Sequence, residues 1–396
     1  MIWLRPGSQV LELLQLLTVA GEFSYKSLTL LGSEQVWQKK VFELTTTQEF
    51  RSEDNKRDYK AKLLLVSGKK DNKTIRLCCR AKNGAFEVMP ELHPEAVNWY
   101  HRLFPTAFSG DLRNLERNHR VAEVLALIMT AGIEMRPYIL PELSRLGLDE
   151  YGSPTIPRLT GYYSARYLKQ LGIEKFHLTQ GELDAGASHK NQFSRFVGTL
   201  FYPDGAYIAY NTRNTVMKWS GAGEHKTYLD LSGLIKVNTG REYQKSAILF
   251  GDNISKAMET VEGTYNPKSP EFALSELYHS LHFVPLNQEG IRLLNLLILP
   301  DWDEKLLSAL FDSEDRSQDV SHIEYDAYSD GIYSYSFVDC DLARFQKFKS
   351  AIKDETAKFR VVCLPWQEAY VRETLKDRVS LKVVTMDAIE KEVKIK

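Results

Sequence analysis

The 396-residue chain has no apolar run of about 18 residues or more, the length a helix needs to cross a bilayer, so no transmembrane segment is expected. Cysteine is scarce. The four present, Cys78, Cys79, Cys340 and Cys363, include one vicinal pair and show none of the spacings of a metal site. They are expected as reduced, buried or half-buried thiols of a cytoplasmic protein. No phosphate-cradling glycine loop, dinucleotide fingerprint or Gly-x-Ser-x-Gly elbow occurs, which leaves those enzyme classes without a signal. Met1 to Leu17 carries Pro6 and Glu12 within its apolar stretch and does not read as a signal peptide.

What is present is a globular composition with enough apolar material for a sizeable core. The length suggests two or three domains. The net charge is −1, but it is unevenly spread. From Ser33 to Lys82 there are 13 Lys/Arg against 7 Asp/Glu, a local +6 that leaves −7 for the rest. A basic segment on a mildly acidic body points to a polyanion met through one part of the chain, or to a solvated charged face.

Val10 to Ala20 has apolar residues at helical spacing and stops at Gly21. Ser24 is placed to cap a second short helix that Gly32 closes. Ser33 is placed to cap a third, with Val36, Trp37, Val41 and Leu44 inward. The outer face of the third shows Gln35, Gln38, Lys39, Lys40 and Phe42. Two strand-like runs follow, Lys60–Val66 and Thr74–Cys79, joined by a polar tip bearing Lys69, Lys70 and Lys73. Three helices and a basic hairpin are the order of a winged helix. Its third helix would enter the major groove of double-stranded DNA, where side-chain amides read base edges, and the hairpin lysines would neutralise phosphates. A helical module that binds only protein has the same outline.

The expected fold is mixed α/β, divided into a winged helix over 1–90, an α/β domain over 91–265 and a C-terminal α/β region over 266–396. Leu92–Phe108 and Leu112–Met135 read as helices, the second carrying Glu123 on an increasingly apolar face where a carboxylate needs a partner. From Arg195 the pattern turns to strands, with a turn expected at Thr212-Arg213-Asn214 between the second and the third. Further apolar runs, including AILFGD, HFVPLN, RLLNLLILP and FRVVCLPW, suggest a sheet covered on both faces. The stretch 181–191 reads as a loop.

Pro203-Asp204 followed by Glu224-His225-Lys226 has the outline of a PD-(D/E)xK nuclease site. There Asp204 and Glu224, with Glu123 as a third carboxylate, would hold Mg²⁺ against a phosphate, and Lys226 would stabilise the developing charge. Pro-Asp-Gly is equally an ordinary turn. Among lesser candidates, Tyr162, Tyr163 and Tyr167 could include a nicking nucleophile but suit packing better. His279 and His282 read as structural, and Asp301 and Asp303 as a helix start.

The string SRFVGTLFYPDGAYIAYNT, preceded by YYSARYLKQL and by a helix with NHR and Glu123, resembles the replication-relaxation family of plasmids and integrative elements of Gram-positive bacteria. That family is similar to mobilisation relaxases with a restriction-endonuclease-like body. The resemblance covers about Ser8 to Lys226. It implies a DNA-binding protein of a mobile element that works at a transfer or replication origin, with relaxosome or replication proteins as partners. Carried onto this chain it points to Asp204 and Glu224 and, less directly, to Glu123. Either a Mg²⁺-dependent nicking enzyme or a non-catalytic initiator, accessory or transcriptional regulator fits. The Gly-rich approach to Glu224 and the acidic body depart from a duplex-gripping enzyme.

Overall fold

The computed structural model describes residues 2–4, 7–52, 58–79, 82–92, 94–103, 114–135, 147–148, 154–155, 160–165, 195–217, 223–225, 227–229, 231–232, 245–262, 274–316 and 323–394. It is a mixed α/β protein in two compact units. The first comprises Met1–Leu140 with Tyr163–His177, and the second Pro141–Tyr162 with Leu178–Lys396. Among the described residues no helix is long and apolar enough to cross a membrane.

The first unit is built on α1 (Gln9–Ala20), whose N-cap Ser8 accepts the N–H of Leu11 and whose C-cap is Gly21 at φ +80°. Its leucines are buried almost all round the helix. Expectation and structure agree there and on the span of α2 (Glu34–Leu44), although Ser33 at its N-cap makes no side-chain cap hydrogen bond. Between them the second helix is a 3₁₀ turn, Tyr25–Leu31, rather than an α-helix. The indole N–H of Trp37 donates to the Leu31 carbonyl at 2.8 Å and pins α2 to that turn. Val36, expected inward, is 46% exposed.

Three short strands were not anticipated: β1 (Ile2–Leu4), β2 (Glu22–Ser24) and β3 (Gln48–Ser52). The run expected over Lys60–Val66 is two strands, β4 (Asp58–Ala61) and β5 (Leu64–Ser67), and the next is β6 (Thr74–Leu77). One sheet has the order β1-β3-β4 and the other β2-β6-β5, the second antiparallel throughout. The β5–β6 tip turns at Gly68, φ +83°, where a Cβ would lie 2.1 Å from the Asn72 carbonyl oxygen. Helices α3 (Ala85–Leu92), α4 (Pro94–Leu103) and α5 (Leu115–Thr130) complete the unit. Helix α5 packs on α1, β2 and the 3₁₀ turn. The unit therefore runs past residue 90, where a domain boundary was expected.

After the two-residue strands β7 (Gly147–Leu148) and β8 (Pro154–Thr155), strand β9 (Gly161–Ser164) opens a five-stranded sheet. Its order is β13-β12-β11-β10-β9, with β10 (Phe196–Tyr202), β11 (Gly205–Arg213), β12 (Ser246–Gly251) and β13 (Ser280–Pro285). Strands β10 and β11 are antiparallel, and β11, β12 and β13 run parallel. Every residue of β10 and β12 is buried, as a sheet covered on both faces requires. The boundary expected at 265/266 would cut between the paired strands β12 and β13.

Helices α6 (Ile254–Glu262), α7 (Leu274–Leu277), α8 (Gln288–Leu297) and α9 (Trp302–Leu310) follow the chain around this sheet. RLLNLLILP, expected among the strands, lies largely in α8. A second sheet, β14-β15-β16-β17, uses Ala327–Ser329, Ile332–Ser336, Lys358–Cys363 and Val379–Val383. Its parallel strands alternate with α10 (Leu342–Ala351) and α11 (Pro365–Leu375), and α12 (Met386–Val393) ends the described chain.

Candidate functional site

The expected DNA-contacting residues divide by what already holds them. Gln35 and Lys39 are exposed on α2, as are Lys69 and Lys70 at the hairpin tip. Gln38 donates its amide to Glu34 at 2.7 Å, and Lys40 pairs with Glu43 at 3.6 Å. The Lys73 ammonium lies 3.6 Å from the ring centre of Tyr25, the first residue of the 3₁₀ turn. Helix α2 packs against that same turn, so the helix and the root of the hairpin share one support. Phe42, 70% exposed, projects from α2.

The carboxylates expected to share Mg²⁺ are not together. The turn expected at Thr212-Arg213-Asn214 does form, with the Thr215 N–H on the Thr212 carbonyl at 3.1 Å, but it ends β11 and no strand pairs across it among the described residues. The β10–β11 hairpin closes instead at Pro203-Asp204, where Tyr202 pairs with Gly205. Asp204 thus sits at the closed end of the hairpin and accepts the backbone N–H of Asp301 at 2.7 Å. Glu224 sits at the open end, on a short helical segment, fully buried. Its Oε1 accepts the N–H of Arg195 at 2.8 Å, and its Oε2 is 3.5 Å from the hydroxyl of Tyr210, which pairs with Phe196 at the start of β10. The length of β10 separates them, roughly 20 Å at about 3.4 Å per residue. Metal–oxygen bonds of about 2.0–2.6 Å rule out a shared ion. Pro-Asp-Gly is the turn here. Glu123 belongs to the first unit and accepts the hydroxyl of Ser27 at 2.6 Å. Lys226, Tyr167 and the loop 181–191 lie outside the described residues. Tyr162 and Tyr163 are buried within β9, and burial raises the Tyr162 hydroxyl far above its ordinary value, which suits packing.

A different cluster forms in the second unit, from His282 in mid-β13 and from Asp339 and Asp341 in the segment between β15 and α10. One ligand atom from each lies within 4.8 Å of the others, and all three residues are buried. Asp341 caps α10. Its Oδ1 takes the N–H groups of Ala343, Arg344 and Leu281 at 3.0–3.1 Å, and its Oδ2 takes the hydroxyl of Ser280 at 3.1 Å. His282 Nδ1 faces the carbonyl of Asp339 at 3.0 Å and its carboxylate at 3.5 Å, while Nε2 faces the Ser280 hydroxyl at 3.4 Å. Asp339 Oδ1 is buried with no hydrogen-bond partner. Burial pushes the Asp339 carboxyl up to about 6, with His282 opposing and Asp341 adding to the rise. The Arg344 guanidinium, over the Tyr335 ring, is engaged by Asp326 and Glu324.

Of this cluster only His282 was considered from the sequence, and it was read as structural. The two aspartates gave one signal, acidic residues alternating about a cysteine just after a strand. His279, its companion at i, i+3 spacing, is exposed. No family model matches this chain, and neither a curated protein nor a solved structure is found to be similar to it.

Proposed function

We propose that this chain binds double-stranded DNA through a winged helix in its first unit and serves as a non-catalytic initiator, relaxosome accessory or regulator of a mobile element. The observation that carries this reading is the strand order β2-β6-β5. A strand between the first two helical segments pairs with the second strand of a hairpin that follows the third, which is how a winged helix closes its sheet. That order supports α2 as the groove-entering helix, with Gln35 and Lys39 outward, and the Lys69–Lys70 tip as the wing. The extra hairpin β3–β4 is an insertion before the wing. The resemblance of SRFVGTLFYPDGAYIAYNT to the replication-relaxation family supports an origin on a plasmid or integrative element as the target, with replication or relaxosome proteins as partners. The non-catalytic reading is favoured because Asp204 and Glu224 occupy opposite ends of one hairpin.

The exposed Phe42 and Val36 favour a second reading, a module that docks protein. Titration of a labelled duplex over a range of salt separates the two. DNA binding through lysines gives a steep linear fall of log K with log salt. A flat plot, or no binding at low salt, would sink the DNA reading.

A further inference from the structure

We propose that His282, Asp339 and Asp341 form a binding site for one divalent first-row transition metal, which ties β13 to the loop that starts α10. The site is independent of the DNA reading. Four observations carry it. The three side chains converge from separate elements with ligand atoms within 4.8 Å. Asp339 Oδ1 is buried without any donor, although a buried carboxylate oxygen is costly unless something positive meets it. Asp341 spends Oδ1 on three backbone N–H groups and leaves Oδ2 with the Ser280 hydroxyl alone. His282 turns Nδ1 toward the Asp339 carbonyl at 3.0 Å and its carboxylate at 3.5 Å, separations at which one ion can take the nitrogen and the Asp339 oxygens together. Nε2, on the far side of the ring, faces the Ser280 hydroxyl at 3.4 Å, the kind of outer contact that orients a metal-binding histidine.

Ser280 Oγ, 3.4 Å from Nε2 and 3.1 Å from Asp341 Oδ2, links the ring to the second carboxylate. Ser280 is half-exposed, so the cluster lies next to solvent on that side. Arg344, whose charge also reaches Asp339, is hydrogen-bonded to Asp326 and paired with Glu324. The excess negative charge of the aspartates therefore has room for a metal. One imidazole and two carboxylates suit Mn²⁺ or Zn²⁺ better than Mg²⁺, which prefers oxygen donors and keeps its water.

The test uses the full chain, dialysed against a chelator and then titrated with Mn²⁺, Zn²⁺ or Mg²⁺ by calorimetry, with the unfolding midpoint followed in parallel. The expected result is one equivalent of Mn²⁺ or Zn²⁺ per chain, a midpoint that climbs with metal concentration, and a weaker response to Mg²⁺. Asp339→Asn and His282→Gln should each weaken binding at least tenfold, and His279→Gln should not. A wild-type midpoint indifferent to all three ions would overturn the site. So would Asp339→Asn binding as tightly as wild type, since the metal would then sit elsewhere. If Asp339→Asn does not fold, His282→Gln and the wild-type midpoint decide by the same readouts.

Discussion

Glu224 Oε1 accepts the backbone N–H of Arg195 at 2.8 Å, fastening the residue before β10 to the short helical segment that carries the glutamate. The other oxygen faces Tyr210, whose hydroxyl is 2.7 Å from that of Tyr278. Burial, then Tyr210 and Glu224, hold the Tyr278 phenol well above its ordinary value, so it stays protonated within this network. Glu224→Ala should therefore cost about 1–3 kcal/mol in urea unfolding, because the hydrogen bonds to the Arg195 N–H and the Tyr210 hydroxyl are lost together. Glu224→Gln, which keeps an acceptor, should cost less. Asp204→Ala loses one contact to Asp301 at a half-exposed turn and should cost about 1 kcal/mol. Mg²⁺-dependent nicking of supercoiled plasmid by wild type, lost in either alanine variant, would reverse the structural assignment of these residues.

Replacing Lys69 and Lys70 together by Gln should lower the slope of log K against log salt by about 2, near 0.9 for each phosphate contact released. Stability should hardly change, because both side chains are exposed. Lys73→Gln should differ. It removes the contact with the Tyr25 ring as well as a charge, so the unfolding midpoint should fall by about 0.5–1 kcal/mol in equivalent free energy. Unchanged slopes in the double variant would remove the hairpin from the DNA contact.

Apolar periodicity located α1 and α2, and Gly21 marks the end of α1 through a positive φ that glycine carries directly. The Ser8 cap was not read, and Ser33 stands at the start of α2 without a side-chain cap bond. The 3₁₀ form of Tyr25–Leu31 was not legible, since seven residues give too few turns to separate it from an α-helix. RLLNLLILP is continuous enough to read as a buried strand, and only its packing makes it α8. The decisive error lay at Pro203-Asp204. Reading it as half of a metal site set Asp204 beside Glu224, whereas the ladder pairs Tyr202 with Gly205 and makes Pro203-Asp204 the hairpin turn. The His282 cluster had no readable spacing, because 57 residues and two sheets separate the histidine from Asp339.

Cys363, at the end of β16, is fully buried, and burial pushes its thiol up to about 11 from an ordinary 9.0. The folded protein keeps this proton where the unfolded chain releases it. The contribution to stability is thus intact below about pH 9 and is lost as pH rises through about 11. At pH 8 Cys363 should resist a disulfide-exchange reagent until urea opens the fold. Half-exposed Cys79, whose thiol donates to the Leu77 carbonyl at 3.3 Å, should react first. Peptide mapping that finds Cys363 labelled as fast as Cys79 would contradict the burial.

Phe42 separates the two readings of α2 most directly. It is 70% exposed, so Phe42→Ala should change unfolding free energy by less than about 0.5 kcal/mol. On the DNA reading it lies on the face that carries Gln35 and Lys39, where an aromatic ring can pack on a thymine methyl. The variant should then bind a selected site more weakly by about 1–3 kcal/mol while its affinity for random duplex and its salt slope stay as they were. That pattern follows because base contacts specify while phosphate contacts hold. If site and random duplex lose affinity equally, Phe42 is not reading bases. If neither changes, the exposed ring belongs to a protein contact, and α2 is not the helix in the groove.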